Sequence, residues 1–327
     1  MVSCSNSIIH LFYPSKLMTY KPTFTDYLQL HFIVLIWGFT AILGKLLAPL
    51  DASGVVLFRT VLAVVGMGLV LLGRKQNLNV ASTDYWRLLA TGGLIGLHWV
   101  LFFLAARLAN VSVCLAGMAT SSLWASVLEP LVLRRRVRPI EVVLGAVVML
   151  GLYLIFRFEF DKVVGLTVAV LSAMLSSLFT IINSRFTQRY NALVISFYEM
   201  IGASVAALCL WLLVQWTASA DAAVSAQYVP ESPWQWLWLL VLSLVCTVYA
   251  YSIGVSLLRK FSPYMAVLTV NLEPVYGILL AVLIFGDTER MTLGFYGGTL
   301  VILAAVLAYP FLNSRFTKTQ AQLPTST

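Results

Sequence analysis

The chain has 327 residues, 60% of them hydrophobic and only 10% charged, with a mean hydropathy of +0.91. Soluble domains carry about 25% charged residues, so the composition excludes a soluble globular protein and points to a polytopic membrane protein. The net charge of +8 follows membrane topology and not nucleic acid; Cys4, Cys114, Cys209 and Cys246 have the spacing of neither a disulfide framework nor a metal motif.

Residues 1–29 are mixed and weakly polar, and are expected to form a cytoplasmic N-terminal segment. Ser5 to Tyr13 is too short to span a bilayer and no small-residue cleavage site follows, so no signal peptide is expected; Met18 is a candidate start of translation. Ten apolar spans follow, at approximately 30–50, 54–73, 87–108, 111–133, 140–157, 163–183, 192–215, 234–257, 262–285 and 291–312. Each suits a hydrocarbon core about 30 Å thick. Placing the N-terminus in the cytoplasm puts 15 Lys and Arg residues on that side and 5 on the other, leaving Arg59 inside the second span. The reverse orientation is disfavoured by the positive-inside rule. The cluster from Arg134 to Arg138 reads as a cytoplasmic anchor, and residues 313–327 as a cytoplasmic tail.

Ser262 to Phe285 carries the most informative feature. Glu273 lies near the middle of a span, where a carboxylate costs roughly 2.5–3.5 kcal/mol on insertion scales, and Pro274 follows at once. The proline frees the carbonyl four residues back, at Val270. Such breaks occur in membranes where protein groups or a hydrated cavity satisfy the backbone. Helical spacing places Thr269, Glu273, Tyr276 and Gly277 on one face. Glu273 either pairs with a neighbouring helix or lines a cavity wall.

The chain repeats itself. An offset of 152 brings Arg107 onto Arg259, Ser122 onto Pro274, Trp124 onto Tyr276 and Gly145 onto Gly297. Over the first two spans of each half the offset is 140, bringing Phe39-Thr40 onto Phe179-Thr180 and Arg59 onto Glu199. Five spans per half is an odd number, so the halves enter the membrane in opposite senses. The expected fold class is therefore an all-α polytopic membrane protein with ten transmembrane helices as two inverted five-helix repeats, a signature of secondary transporters.

These pieces resemble the drug/metabolite transporter superfamily, EamA type. The resemblance is carried by IWGFTAILGK with LFRTVLA downstream, and by SPYMAVLTVNLEPVYGILLAVLIFGDTERMTLGFYGGTLVILAAVL. It implies a first EamA repeat over 30–158 and a second over 163–312. Asp287 stands where the family usually has Glu, Ser122 replaces the first repeat's proline, and Arg134-Arg135-Arg136 replaces its acidic turn. The resemblance leans toward efflux of amino acids or related metabolites.

Candidate substrate-binding or coupling residues are Glu273, Arg59, Glu199, His98, Trp37, Trp124, Tyr276 and Thr269. Glu273 can load a proton or a cation. Arg59 can attract an anionic group and Glu199 can take part in gating, unless both are structural, for example paired with each other. His98 is either a satisfied core residue or a proton relay. Trp124 with Gly117 and Ser121, and Tyr276 with Thr269 and Glu273, can form two walls of one cavity; Trp37 follows the same logic. Glu129-Pro130 reads as a helix-end ion pair, and Gly92, Gly93, Gly96, Gly294, Gly297 and Gly298 as close-packing positions.

No P-loop, H-E-x-x-H or G-x-S-x-G is present. The expectation is thus not an enzyme but a secondary active transporter of a small metabolite or drug-like solute, in the inner or plasma membrane with both termini cytoplasmic. Expected partners are the solute, protons or another coupling ion, and membrane lipids, with a homodimer as an open option; no cofactor, metal or nucleic acid is expected. The alternatives are an uncoupled facilitator and a non-transporting receptor or scaffold.

Overall fold

A computed structural model describes residues 22–134, 139–217 and 227–321. The Met18 start, the Ser5–Tyr13 stretch and most of the arginine cluster lie outside the described residues. Within them the regular structure is helical, apart from one bridge between Leu50 and Gln227.

The helices are α1 Phe24–Leu46, α2 Ala52–Gly73, α3 Ser82–Leu108, α4 Val111–Met118, α5 Ser121–Leu133, α6 Pro139–Phe158, α7 Val163–Phe186, α8 Ala192–Thr217, α9 Pro233–Leu240, α10 Ala250–Leu257, α11 Pro263–Val270, α12 Glu273–Phe285 and α13 Leu293–Ala321. A π-helical segment, Val241–Tyr249, joins α9 to α10. Taking α4 with α5, α9 with α10 and α11 with α12 as single crossings, eight helical stretches among the described residues are long and apolar enough to span a membrane. Val143–Ile155 and Leu293–Ala305, within α6 and α13, are shorter apolar helices.

Local chemistry sets the ends. The first helix starts six residues before the apolar run, at Phe24, because Thr23 and Asp26 form a capping box there. Ser232 and Gln235 do the same for α9, and Ser262 caps α11, with Pro263 in its first turn.

The interruption between α11 and α12 falls at Asn271-Leu272, just ahead of Glu273-Pro274, as the proline requires. The interruption between α4 and α5 falls at Ala119-Thr120, 152 positions earlier, although no proline stands there. Here the hydroxyls do the work. Thr120 donates to the Gly117 carbonyl (2.7 Å) and Ser121 to the Met118 carbonyl (2.5 Å), offering the backbone an alternative to the helical ladder.

The packing pairs the two halves of the chain. α2 lies on α8, α6 on α13, and α3 on both α7 and α8. α4 packs against α12 while α11 packs against α5, so these two broken helices run antiparallel. Glycines set the closest approaches. A Cβ on Gly92 would sit 2.1 Å from the Glu199 carbonyl, and one on Gly202 2.1 Å from the Leu89 carbonyl, locking α3 to α8. Gly151 and Gly298 meet in the same reciprocal way between α6 and α13. Of the sequence-predicted packing glycines, Gly92, Gly96, Gly294 and Gly298 make such contacts, whereas Gly93 and Gly297 face open space.

Candidate functional site

Where α1, α2, α3, α7, α10 and the two broken helices converge, they enclose a cavity of about 110 Å³. A single water needs roughly 10–15 Å³ on this measure, so the space admits several waters or a small solute. Its wall is amphipathic. Trp37, Trp99, Phe102, Met118 and Phe179 give the apolar part; Thr40, Ser121, Ser176, Thr180 and Asn183 give neutral polar groups; Arg59 and Glu273 give charge.

Arg59 is held by packing more than by pairing. It is only 1% exposed. Its Nε donates to the Thr247 hydroxyl (2.8 Å), and its guanidinium lies 3.7 Å from the centre of the Trp99 ring. Nη1 has no hydrogen-bond partner among the described residues. The π-helical segment presents this threonine: the Thr247 hydroxyl in turn donates to the Leu242 carbonyl, five residues back (3.0 Å). Such bulges recur at functional sites.

Glu199 occupies the equivalent position in the second half but behaves differently. It is fully buried behind the wall and accepts from the Tyr251 hydroxyl (2.8 Å), which also receives Asn183 Nδ2 (3.1 Å). Arg59 and Glu199 therefore do not pair; each leans on an aromatic side chain. Those two aromatics, Trp99 and Tyr251, stand 152 positions apart and meet edge to face at 6.0 Å. Arg59, Trp99, Tyr251 and Glu199 thus form one continuous chain of contacts.

Glu273, the first residue of α12, lines the cavity with no ion pair within 4 Å among the described residues. His98 also lines it, but its ring is engaged: Nδ1 donates to the Ser172 carbonyl (2.9 Å), while the Ser172 hydroxyl donates to the His98 carbonyl (2.9 Å). Trp37 reaches in and donates Nε1 to the Cys246 carbonyl (3.3 Å). Gly254 faces it, and a Cβ there would sit 2.8 Å from the indole.

Thr269, Trp124 and Tyr276 lie outside the lining. The break at Asn271-Leu272 explains the two on this crossing: Thr269 ends in α11 bonded back to the Met265 carbonyl, while Tyr276, in α12, packs at Gly38. A continuous helical face does not survive the interruption. Sequence reasoning passed over Trp99, Thr247, Tyr251 and Asn183. The 152 offset, applied to the third and eighth spans, was the available signal for the Trp99–Tyr251 pair.

At one end of the bundle a second polar cluster closes around Glu289, which is fully buried. Lys45 pairs with it (2.8 Å), and the amides of Val111 and Ser112 donate to it (3.3 and 3.0 Å). Asp287, the acid of the expected family turn, is exposed and paired with Arg290. At the other end Glu129 accepts the Tyr264 amide (3.1 Å), and Lys260 pairs with Asp26 (2.6 Å). Among the described residues no group of three metal-ligating side chains occurs.

The profile of the EamA-like transporter family matches residues 27–157 and again 163–311. The chain belongs to this family. The two matched segments are its two EamA repeats, and they carry every residue of the cavity wall. A search of curated proteins returns no match. One solved structure, described only as "Crystal structure of protein", is similar with a TM-score of 0.64 and 17% identity, over 89% of this chain and 99% of that one. At that identity the likeness concerns the fold alone. The chain is thus a multi-pass membrane protein of a transporter family, which suggests a small-molecule substrate and a lipid environment.

Proposed function

We propose that the protein is a secondary active transporter that carries a small organic solute by alternating access through the Arg59–Glu273 cavity. The observation that carries this is the cavity itself: an amphipathic chamber between the repeats, holding two charged side chains that form no ion pair with each other. In this reading ten helices form two inverted five-helix repeats, 30–158 and 163–312. The antiparallel packing of the two broken helices and the matched interruptions at Ala119-Thr120 and Asn271-Leu272 support it.

Glu273 is the coupling group, taking a proton or cation. Arg59 and Trp37 contact the solute. Glu199 and His98 act from behind or within the wall through their bonds to Tyr251 and Ser172. Thr269, Trp124 and Tyr276 belong to the moving half-helices rather than to the resting wall. Charge asymmetry supports cytoplasmic termini in an inner or plasma membrane.

Flux in proteoliposomes tests the proposal. Wild-type protein is expected to carry solute down an imposed proton gradient, with Glu273→Gln inserted and folded but uncoupled. Proton-dependent flux unchanged in Glu273→Gln would refute the coupling role. No flux of any solute in a broad metabolite panel, from folded protein, would favour a receptor.

A further inference from the structure

We infer that the cavity takes an organic monocarboxylate, with its carboxylate on Arg59 and an apolar or aromatic body against Trp37, Phe102 and Phe179, and that it binds when Glu273 carries a proton. This deepens the transporter reading above and rests on it.

Arg59 has unused hydrogen-bonding capacity. A guanidinium has five donors in a fixed fork. Here one donor is used on a neutral hydroxyl, one face is covered by Trp99, and Nη1 is buried without a partner among the described residues. A buried cation left this way is a standing receptor for a planar anion, which meets the fork through two parallel hydrogen bonds. The N-termini of the half-helices α5 and α12 also reach the cavity, at Ser121 and Glu273, and their dipoles favour negative charge there.

Arg59 and Glu273 are the charged lining residues among those described, and their charges act on each other across the space without an ion pair. Other titratable groups face Glu273 from the surrounding elements: Cys246 from the π-helical segment and Cys114 from α4. Lys45 of α1 lies at the far end of α12, where Glu289 of the following turn holds it. His98 and Tyr251 are engaged by Ser172 and Glu199. One cation therefore faces one intrinsic anion. An ionised Glu273 screens Arg59 and repels an incoming carboxylate; a protonated Glu273 does neither. Binding of the carboxylate and of the proton must then favour each other by the same factor, and the loaded cavity carries one positive and one negative charge.

The test is equilibrium binding to the purified full chain of 3-phenylpropionate, beside the matched neutral 3-phenylpropionamide and the cation 3-phenylpropylammonium, at about pH 5.5 and about pH 8. The carboxylate is expected to bind at least about tenfold more tightly than either analogue, and about tenfold more tightly at the lower pH. Glu273→Gln should keep the tight binding and lose its pH dependence, and Arg59→Gln should abolish it. If Arg59→Gln does not fold, the ligand series and Glu273→Gln decide alone. Amide or ammonium binding as tight as the carboxylate, carboxylate binding that tightens at the higher pH, or no carboxylate binding at millimolar concentration would each overturn the inference. Carboxylate binding without flux in proteoliposomes would overturn the transporter reading and leave the site standing. Flux of a neutral or cationic solute without carboxylate binding would do the reverse.

Discussion

Ser112 and Tyr264 lie 152 positions apart, and each gives a buried backbone amide to a glutamate from the opposite repeat: Ser112 to Glu289 (3.0 Å) and Tyr264 to Glu129 (3.1 Å). Each acid sits at the start of a broken helix, where orphan amides and the helix dipole favour a carboxylate. The two contacts lie at opposite ends of the same antiparallel helix pair.

Removing one of these acids leaves buried donors unsatisfied, which costs about 1–3 kcal/mol for each group. Glu289→Ala strips two amides and the Lys45 partner together, so it should lower thermal stability in detergent clearly more than Lys45→Ala, which leaves both amides bonded. Equal losses in the two variants would show that the amide contacts contribute nothing.

Adjacent glycines in α3 should respond in opposite directions. A Cβ at Gly92 collides with the Glu199 carbonyl at 2.1 Å, whereas one at Gly93 meets nothing within 4 Å. Gly92→Ala should prevent close packing of α3 on α8, at a cost above the roughly 1–3 kcal/mol of ordinary overpacking. Gly93→Ala should be neutral or gain up to about 1 kcal/mol from helix propensity. Yield and melting temperature of the two variants check this.

The contrast between Gly92 and Gly93 shows where sequence reading ends. Hydropathy and register made the helical, membrane-spanning character and the two repeats legible, because these depend on solvent and local chain properties. The proline break before Glu273 was legible for the same reason. The matching break at Ala119-Thr120 was hidden, since it depends on which carbonyls the Thr120 and Ser121 hydroxyls choose. Arg59 and Glu199 were visible as buried charges at equivalent positions. Their partners, Trp99, Thr247 and Tyr251, were not, because contacts between helices far apart in the chain are set by rotation about each helix axis. Glu289 escaped notice beside Asp287 because burial distinguishes the two and composition does not.

The Glu199–Tyr251 bond should behave as a coupled unit. Tyr251→Phe leaves a fully buried carboxyl short of its donor, and should cost about 1–3 kcal/mol. Combined with Glu199→Gln, the two losses should fail to add by at least about 0.5 kcal/mol, as contacting residues do. A double-mutant cycle on thermal or denaturant unfolding measures this; strict additivity would argue that the bond is not formed in the membrane protein.

Acid should loosen the junction between α6 and α13. Glu159 lies between the helices, bonded to Lys162 Nζ (2.9 Å), to the Thr292 hydroxyl (2.8 Å) and to the Thr292 amide (3.2 Å). Burial works to raise its pKa, but these hydrogen bonds prevail and hold the carboxyl below its ordinary value of 4.5. A carboxylate whose folded pKa is depressed contributes stability that is present above the unfolded value and lost as pH falls through the folded one. Melting temperature should therefore drop as the pH is taken below about 4.5, and Glu159→Gln should begin lower at neutral pH and lose less on acidification. The two curves should converge at the acidic end. A variant that stays parallel to wild type across the whole range would show that Glu159 is not the group being titrated.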